Sequence, residues 1–132
     1  MSQRTKVKFP KIHHLVSASL HCEKRMKQRA NLKTRQKRNA FVRKAGQECF
    51  CPSDVPTDDI RFASFLGYLN HIRRRVHDLN PSCKVYIFRE FFLIISDEGV
   101  MVTIYKISDD YKNIYEDLKA YYKNQGKEEA ID

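Results

Sequence analysis

The apolar positions of this chain change period twice, and those changes divide it into elements. From about Ser17, small apolar side chains recur every fourth residue, at Ala18, Cys22, Met26 and Ala30. That spacing predicts a helix with a narrow buried stripe. Asn31–Lys33 interrupts it. A second helix follows to Ala45, with Phe41, Val42 and Ala45 inward and Gly46 as its expected C-terminal stop. Pro52 and Pro56 mark residues 47–58 as a loop. From about Asp59 the helical period is cleanest: Phe62, Phe65, Leu66, Leu69, Ile72 and Val76 share one face. Asp58 or Asp59 suits the N-cap. Asn80-Pro81 ends the helix, because a residue preceding proline avoids helical angles.

The pattern then shortens. Lys84–Phe88, Glu90–Ser96 and Val100–Ile107 are rich in Val, Ile, Phe and Tyr and read as strands. Asp97-Glu98-Gly99 is a turn signal that pairs the last two as a hairpin. Phe91–Ile95 is apolar on both faces, which predicts a central, covered strand. A final amphipathic helix spans about Asp109–Asn124, with Tyr111, Ile114, Tyr115, Leu118, Tyr121 and Tyr122 on one side. The expected fold is α+β: N-terminal helices packed on a small antiparallel meander, followed by a C-terminal helix. Residues 1–16 read as a basic arm, 17–124 as one domain and 125–132 as a tail.

Charge sharpens the picture. The 132 residues carry a net charge of +9. Residues 1–50 hold 14 basic and 2 acidic side chains, a local charge of +12, whereas residues 51–132 hold 11 and 14, a local charge of −3. The first half suits a polyphosphate or an acidic surface. The longest apolar run, Phe91–Ile95, is far too short to span a membrane. No secretory signal is visible. The acid-free first 22 residues faintly resemble an organelle presequence, but Pro10 and the lack of an amphipathic repeat oppose that. Cys22, Cys49, Cys51 and Cys83 are irregularly spaced and read as reduced thiols of a cytoplasmic protein.

The most informative segment runs from His21 to Arg29. His21, Arg25 and Arg29 stand at i, i+4 and i+8. On a helix they fall within roughly an 80° arc, over roughly 12 Å of axis, beside the buried stripe. That grouping suits metal-free RNA cleavage. A histidine takes the 2′-hydroxyl proton or returns one, and guanidinium groups stabilise charge on the phosphate. Spacing alone favours a plainer reading, in which both arginines are solvated and His21 is a boundary residue.

Leu20-His21-Cys22-Glu23-Lys24-Arg25-Met26-Lys27-Gln28-Arg29 resembles the H-x-x-x-R-M-x-x-R opening of small bacterial and phage domains. Val85–Phe88, Phe91–Ile95 and Val102-Thr103-Ile104-Tyr105 resemble their closing meander, which ends on a V-T-V-Y-like strand. These domains belong to the barnase–EndoU–colicin–RelE class of metal-independent nucleases and toxins. The resemblance covers residues 19–107. It implies His21 as acid/base, Arg25 and Arg29 as phosphate ligands, and Thr103 and Tyr105 on a strand facing the helix. Cys22 departs from the small residue, often Ala, that usually follows the histidine. The 47–58 loop and the last helix look like additions. The class also includes members that lost catalysis and persist as binding modules.

Other groups carry less. His13-His14 could touch a metal but reads as solvated arm. Cys49 and Cys51, with Cys22, Cys83 or a histidine, could hold zinc, but a second closely spaced pair is missing. No metal or cofactor is expected. Arg73-Arg74-Arg75 marks a solvent edge, with Arg74 a phosphate contact. Lys24, Lys27, Lys33, Arg35, Lys37, Arg38, Arg43 and Lys44 form a one-sign surface expected to contact nucleic acid. The sequence therefore points to a metal-independent endoribonuclease or RNA-directed, toxin-like protein of phage or mobile-element origin. The alternative is a non-catalytic protein that binds nucleic acid or a ribonucleoprotein, for example an inhibitor of a host defence complex. A structural DNA-binding protein is a third reading.

Overall fold

A computed structural model describes residues 17–131, with side chains through Asn124. The basic arm, including His13 and His14, lies outside the described residues. The elements are β1 (Ser17–Ala18), α1 (Leu20–Arg29), α2 (Arg35–Glu48), α3 (Ala63–Leu79), β2 (Cys83–Phe88), β3 (Phe91–Ser96), β4 (Val100–Lys106) and α4 (Ile114–Ile131). Single 3-10 turns occupy Pro52–Asp54, Ile60–Phe62 and Asp109–Tyr111. The architecture is α+β.

The three expected strands form the meander β2–β3–β4, and β1 adds a fourth in parallel against Val100 and Met101 of β4, giving the order β1-β4-β3-β2. Two residues show no periodicity, so β1 leaves no signal in the sequence. Gly99, at φ 84, closes the β3–β4 turn. Phe91–Ile95 is buried throughout. Phe65 and Tyr68 of α3 lie against Phe92, with ring centroids 6.2 and 5.5 Å away. Phe41 of α2 meets Phe88 and Phe91 on the other face, at 5.2 and 6.1 Å.

Helix boundaries differ from expectation where polar side chains set them. Ser19, not Ser17, starts α1: its Oγ accepts the Cys22 N–H at 3.0 Å and donates to the Val102 carbonyl at 3.1 Å. Asn31, at φ 56, ends that helix with a left-handed turn. Gly46 does not stop α2. It lies buried inside the helix, which runs on until Cys49 donates its N–H to the Ala45 carbonyl. Asp59 caps the 3-10 turn that leads into α3, accepting the Arg61 N–H at 2.9 Å. α4 begins later than expected and its backbone continues to Ile131, through the segment read as a tail. It is fastened by two tyrosines: Tyr115 donates its hydroxyl to the Glu48 carbonyl at 2.8 Å, and Tyr122 donates to the Asp54 carbonyl.

Candidate nucleic-acid interface

α1 lies along β4 and fills the strand edge that β1 leaves open. Cys22 and Met26 face the core, so His21, Lys24, Lys27 and Gln28 are left exposed. The Arg25 Nε donates to His21 Nε2 at 3.3 Å, and its Nη1 donates to Gln28 Oε1 at 3.4 Å. In the first contact His21 Nε2 is the acceptor.

Arg29 has a structural task. Its Nη1 donates to the outward Ile104 carbonyl at 2.5 Å, and its guanidinium carbon stands 5.4 Å from the Tyr105 ring centroid. It therefore satisfies an unpaired edge carbonyl of β4 and makes a cation–π contact. Tyr105 also lines a cavity of about 240 Å3 with Tyr68, Phe92, Arg75 and Lys106. Thr103 and Tyr105 pair with Ile94 and Phe92, which puts them on the sheet face that α3 covers. The structure thus joins His21 to Arg25 and Arg29 to Tyr105. Among the described residues Thr103 makes no hydrogen bond to His21, Arg25 or Arg29. The Tyr105 cavity, the hollow beside Glu116 and the cleft beside Lys84 include neither His21 nor Arg25 in their walls.

α2 sorts its cations by face. Phe41, Val42, Ala45 and Gly46 point inward, leaving Arg43, Lys44 and Lys37 across the solvent side and Arg35 exposed in the first turn. Thr34 caps this helix by accepting the Lys37 N–H at 3.2 Å, and its first turn holds no acid. Arg35 and Lys37 therefore sit at the positive end of the helix dipole, an arrangement that repels other cations and favours an anion. Exposed Lys33 lies in the connection. Arg38, expected at the nucleic-acid surface, is instead turned inward and only 8% exposed. Its Nε meets Glu23 Oε1 at 3.1 Å and its Nη1 meets the Leu32 carbonyl at 3.2 Å. Arg38 ties α2 to α1. The sequence hides this role because its carboxylate partner lies 15 residues away. Lys44 lies 3.6 Å from Glu48 on the same helix.

The thiols are suppressed. Burial, then the charge of Glu23, pushes Cys22 up to about 12. Burial, then Cys51, pushes Cys49 up to about 12. Burial also raises Cys51 and Cys83. Such groups are poor nucleophiles near neutral pH. Among the described residues no cluster of three His, Cys, Asp or Glu side chains is placed to hold a metal, and no helix is long and apolar enough to cross a membrane.

Arg74 stands apart from this surface, in a separate cleft on the far edge of the sheet with Arg73, His77 and Lys84. Sequence reasoning misses these neighbours, although the helical spacing of Arg73 and His77 beside the core stripe of α3 is visible in the sequence. No family model matches the chain, and neither the curated proteins nor the solved structures contain a match to it.

Proposed function

We propose that this protein binds RNA through the corner formed by α1 and α2. One observation carries the reading. From Lys24 to Gln47 the chain has ten cations and no carboxylate. Among the described residues only two of the ten, Arg38 and Lys44, form ion pairs. Lys24, Lys27, Lys33, Arg35, Lys37 and Arg43 are each exposed. Concentrating like charges destabilises a compact state unless a polyanion neutralises them. The choice of RNA, as such or within a ribonucleoprotein, rests on the resemblance of the His21–Arg29 and Val102–Tyr105 segments to metal-independent ribonucleases. The reduced thiols fit a cytoplasmic setting.

A second reading, metal-independent cleavage, is favoured by the His21–Arg25 contact. Phosphate binding to Arg25 would release the His21 Nε2 lone pair beside the bound phosphate. The imidazole would then take the 2′-hydroxyl proton as that oxygen attacks phosphorus; the bond from phosphorus to the 5′-oxygen breaks, that oxygen takes a proton from water, and a 2′,3′-cyclic phosphate is left. One experiment addresses both readings: total RNA is incubated with wild type and with His21→Ala in EDTA, and binding is followed by gel shift. Binding without cleavage supports the first reading. Cleavage that resists EDTA and falls by about two to four orders of magnitude in the variant supports the second. Absence of binding refutes both.

A further inference from the structure

The opposite edge of the sheet carries a site that the α1–α2 surface does not explain. α3, the outer edge of β2 and residues 51–53 line an open cleft of about 720 Å3. Its helical wall presents Asn70, Arg73, Arg74 and His77, at i, i+3, i+4 and i+7, a single stripe on α3. Lys84 and Tyr86 of β2 stand on the other side. No carboxylate lines the cleft among the described residues. The nearby Asp54 carboxylate is held by the Cys51 N–H at 2.8 Å. Arg74 and Lys84 form no ion pair among the described residues, and Arg73 has only a 3.5 Å contact to Asn70.

The floor adds a backbone donor. Ile87 exchanges both of its backbone hydrogen bonds with Phe50, at 2.8 and 2.9 Å. The alternation of an antiparallel ladder then turns the Val85 N–H and C=O to the same outer side. Val85 lines the cleft, and neither outward group has a backbone partner among the described residues. A peptide strand could also use those groups. However, Phe50 occupies the edge at Ile87, and the Cys83 N–H is bonded to the Asn80 carbonyl at 3.0 Å. The remaining edge is too short for strand addition.

We propose that this cleft binds a nucleotide phosphate, with Arg73, Arg74, Lys84 and the Val85 N–H around the phosphate and Tyr86 beside the base. Guanidinium groups, an ammonium and a backbone N–H form a complementary donor set for phosphate oxygens. The volume lies in the range of small-molecule sites and exceeds what inorganic phosphate needs. The nucleotide could be free or one unit of a strand; the recognising chemistry is the same.

The test titrates the full chain with AMP, with inorganic phosphate and with a short single-stranded oligoadenylate. Binding is read by calorimetry and by the NMR shifts of the Val85 amide and the Tyr86 ring. AMP is expected to shift both signals and to bind more tightly than inorganic phosphate. Arg74→Glu with Lys84→Glu, both on exposed side chains, should weaken AMP by at least about tenfold without changing the melting temperature. In a chain whose Lys33, Arg35 and Lys37 are replaced with glutamine, tighter binding of the oligonucleotide than of AMP, with the Val85 and Tyr86 signals shifted, assigns the cleft to a strand; equal or weaker binding assigns it to a free nucleotide. The proposal is overturned if AMP at roughly 10 mM moves neither signal, if phosphate alone binds as well, or if the double variant binds AMP unchanged. Removing charge at Lys33, Arg35 and Lys37 should leave AMP binding intact, so failure here is separable from failure of the RNA surface.

Discussion

Replacing Lys33, Arg35 and Lys37 with glutamine should change the salt dependence of RNA binding more than it changes anything else. These side chains are exposed at the α1–α2 corner and form no ion pair among the described residues, so the fold loses little with them. If they and Lys24, Lys27 and Arg43 each neutralise one phosphate of a single strand, the slope of log affinity against log salt is about −4. Removing three of the six should bring it to about −2. Between 50 and 200 mM salt, wild type would lose roughly 300-fold in affinity and the triple variant roughly 20-fold. Arg38→Gln is the contrasting perturbation. It leaves Glu23 half-buried without its cation and removes a donor from the Leu32 carbonyl, at a cost of about 2 kcal/mol, or roughly 8 °C in Tm, with a near-normal salt slope. Fluorescence anisotropy with a labelled RNA and thermal melts separate the two effects. A triple variant with the wild-type slope would refute the electrostatic reasoning. An Arg38→Gln protein with normal Tm and a reduced slope would refute the division between surface and structural cations.

Three further outcomes are expected. Ile94→Asp should abolish cooperative unfolding followed by circular dichroism, because Ile94 is 3% exposed on a strand covered on both faces and an unpaired buried carboxylate costs several kcal/mol. Tyr115→Phe removes the hydroxyl donor to Glu48 and should cost about 1 kcal/mol in a urea melt; an unchanged midpoint would show that α4 is not held by this bond. Cys22 and Cys49 should resist alkylation at pH 8 until the protein unfolds. Because folding raises their pKa values, their contribution to stability is complete below about pH 9 and is lost as pH rises towards 12; rapid native-state labelling of either thiol would contradict their burial.

The strands are readable because β2, β3 and β4 are dense in Val, Ile, Phe and Tyr, a composition that needs no partner to be seen. The same holds for α3, where Phe65, Leu69 and Val76 repeat strongly enough to fix the buried face. What the sequence conceals depends on contacts between distant positions. Ser17–Ala18 becomes a strand only because β4 offers an edge. Arg38 looks like any surface cation until Glu23 folds against it. Arg29 is legible as a charge at the right helical spacing, but its bond to Ile104 spans 75 residues and no local pattern announces it. Arg73, His77 and Lys84 are scattered polar positions until α3 and β2 bring them to one cleft.

The bond from Ser19 to Val102 joins residues 83 apart in the chain, and this separation sets an order of events during synthesis. α1 has no β4 to lie against until that much more chain has been made. At typical elongation speeds of roughly 5–20 residues per second, the wait is on the order of 4–17 s. Throughout that interval the cation-rich stretch from Lys24 to Gln47 has left or is leaving the ribosome without its sheet, close to a large mass of ribosomal RNA. If these cations bind RNA as proposed, closure of β4 onto α1 would compete with electrostatic retention of the unfolded segment, and higher salt would accelerate it.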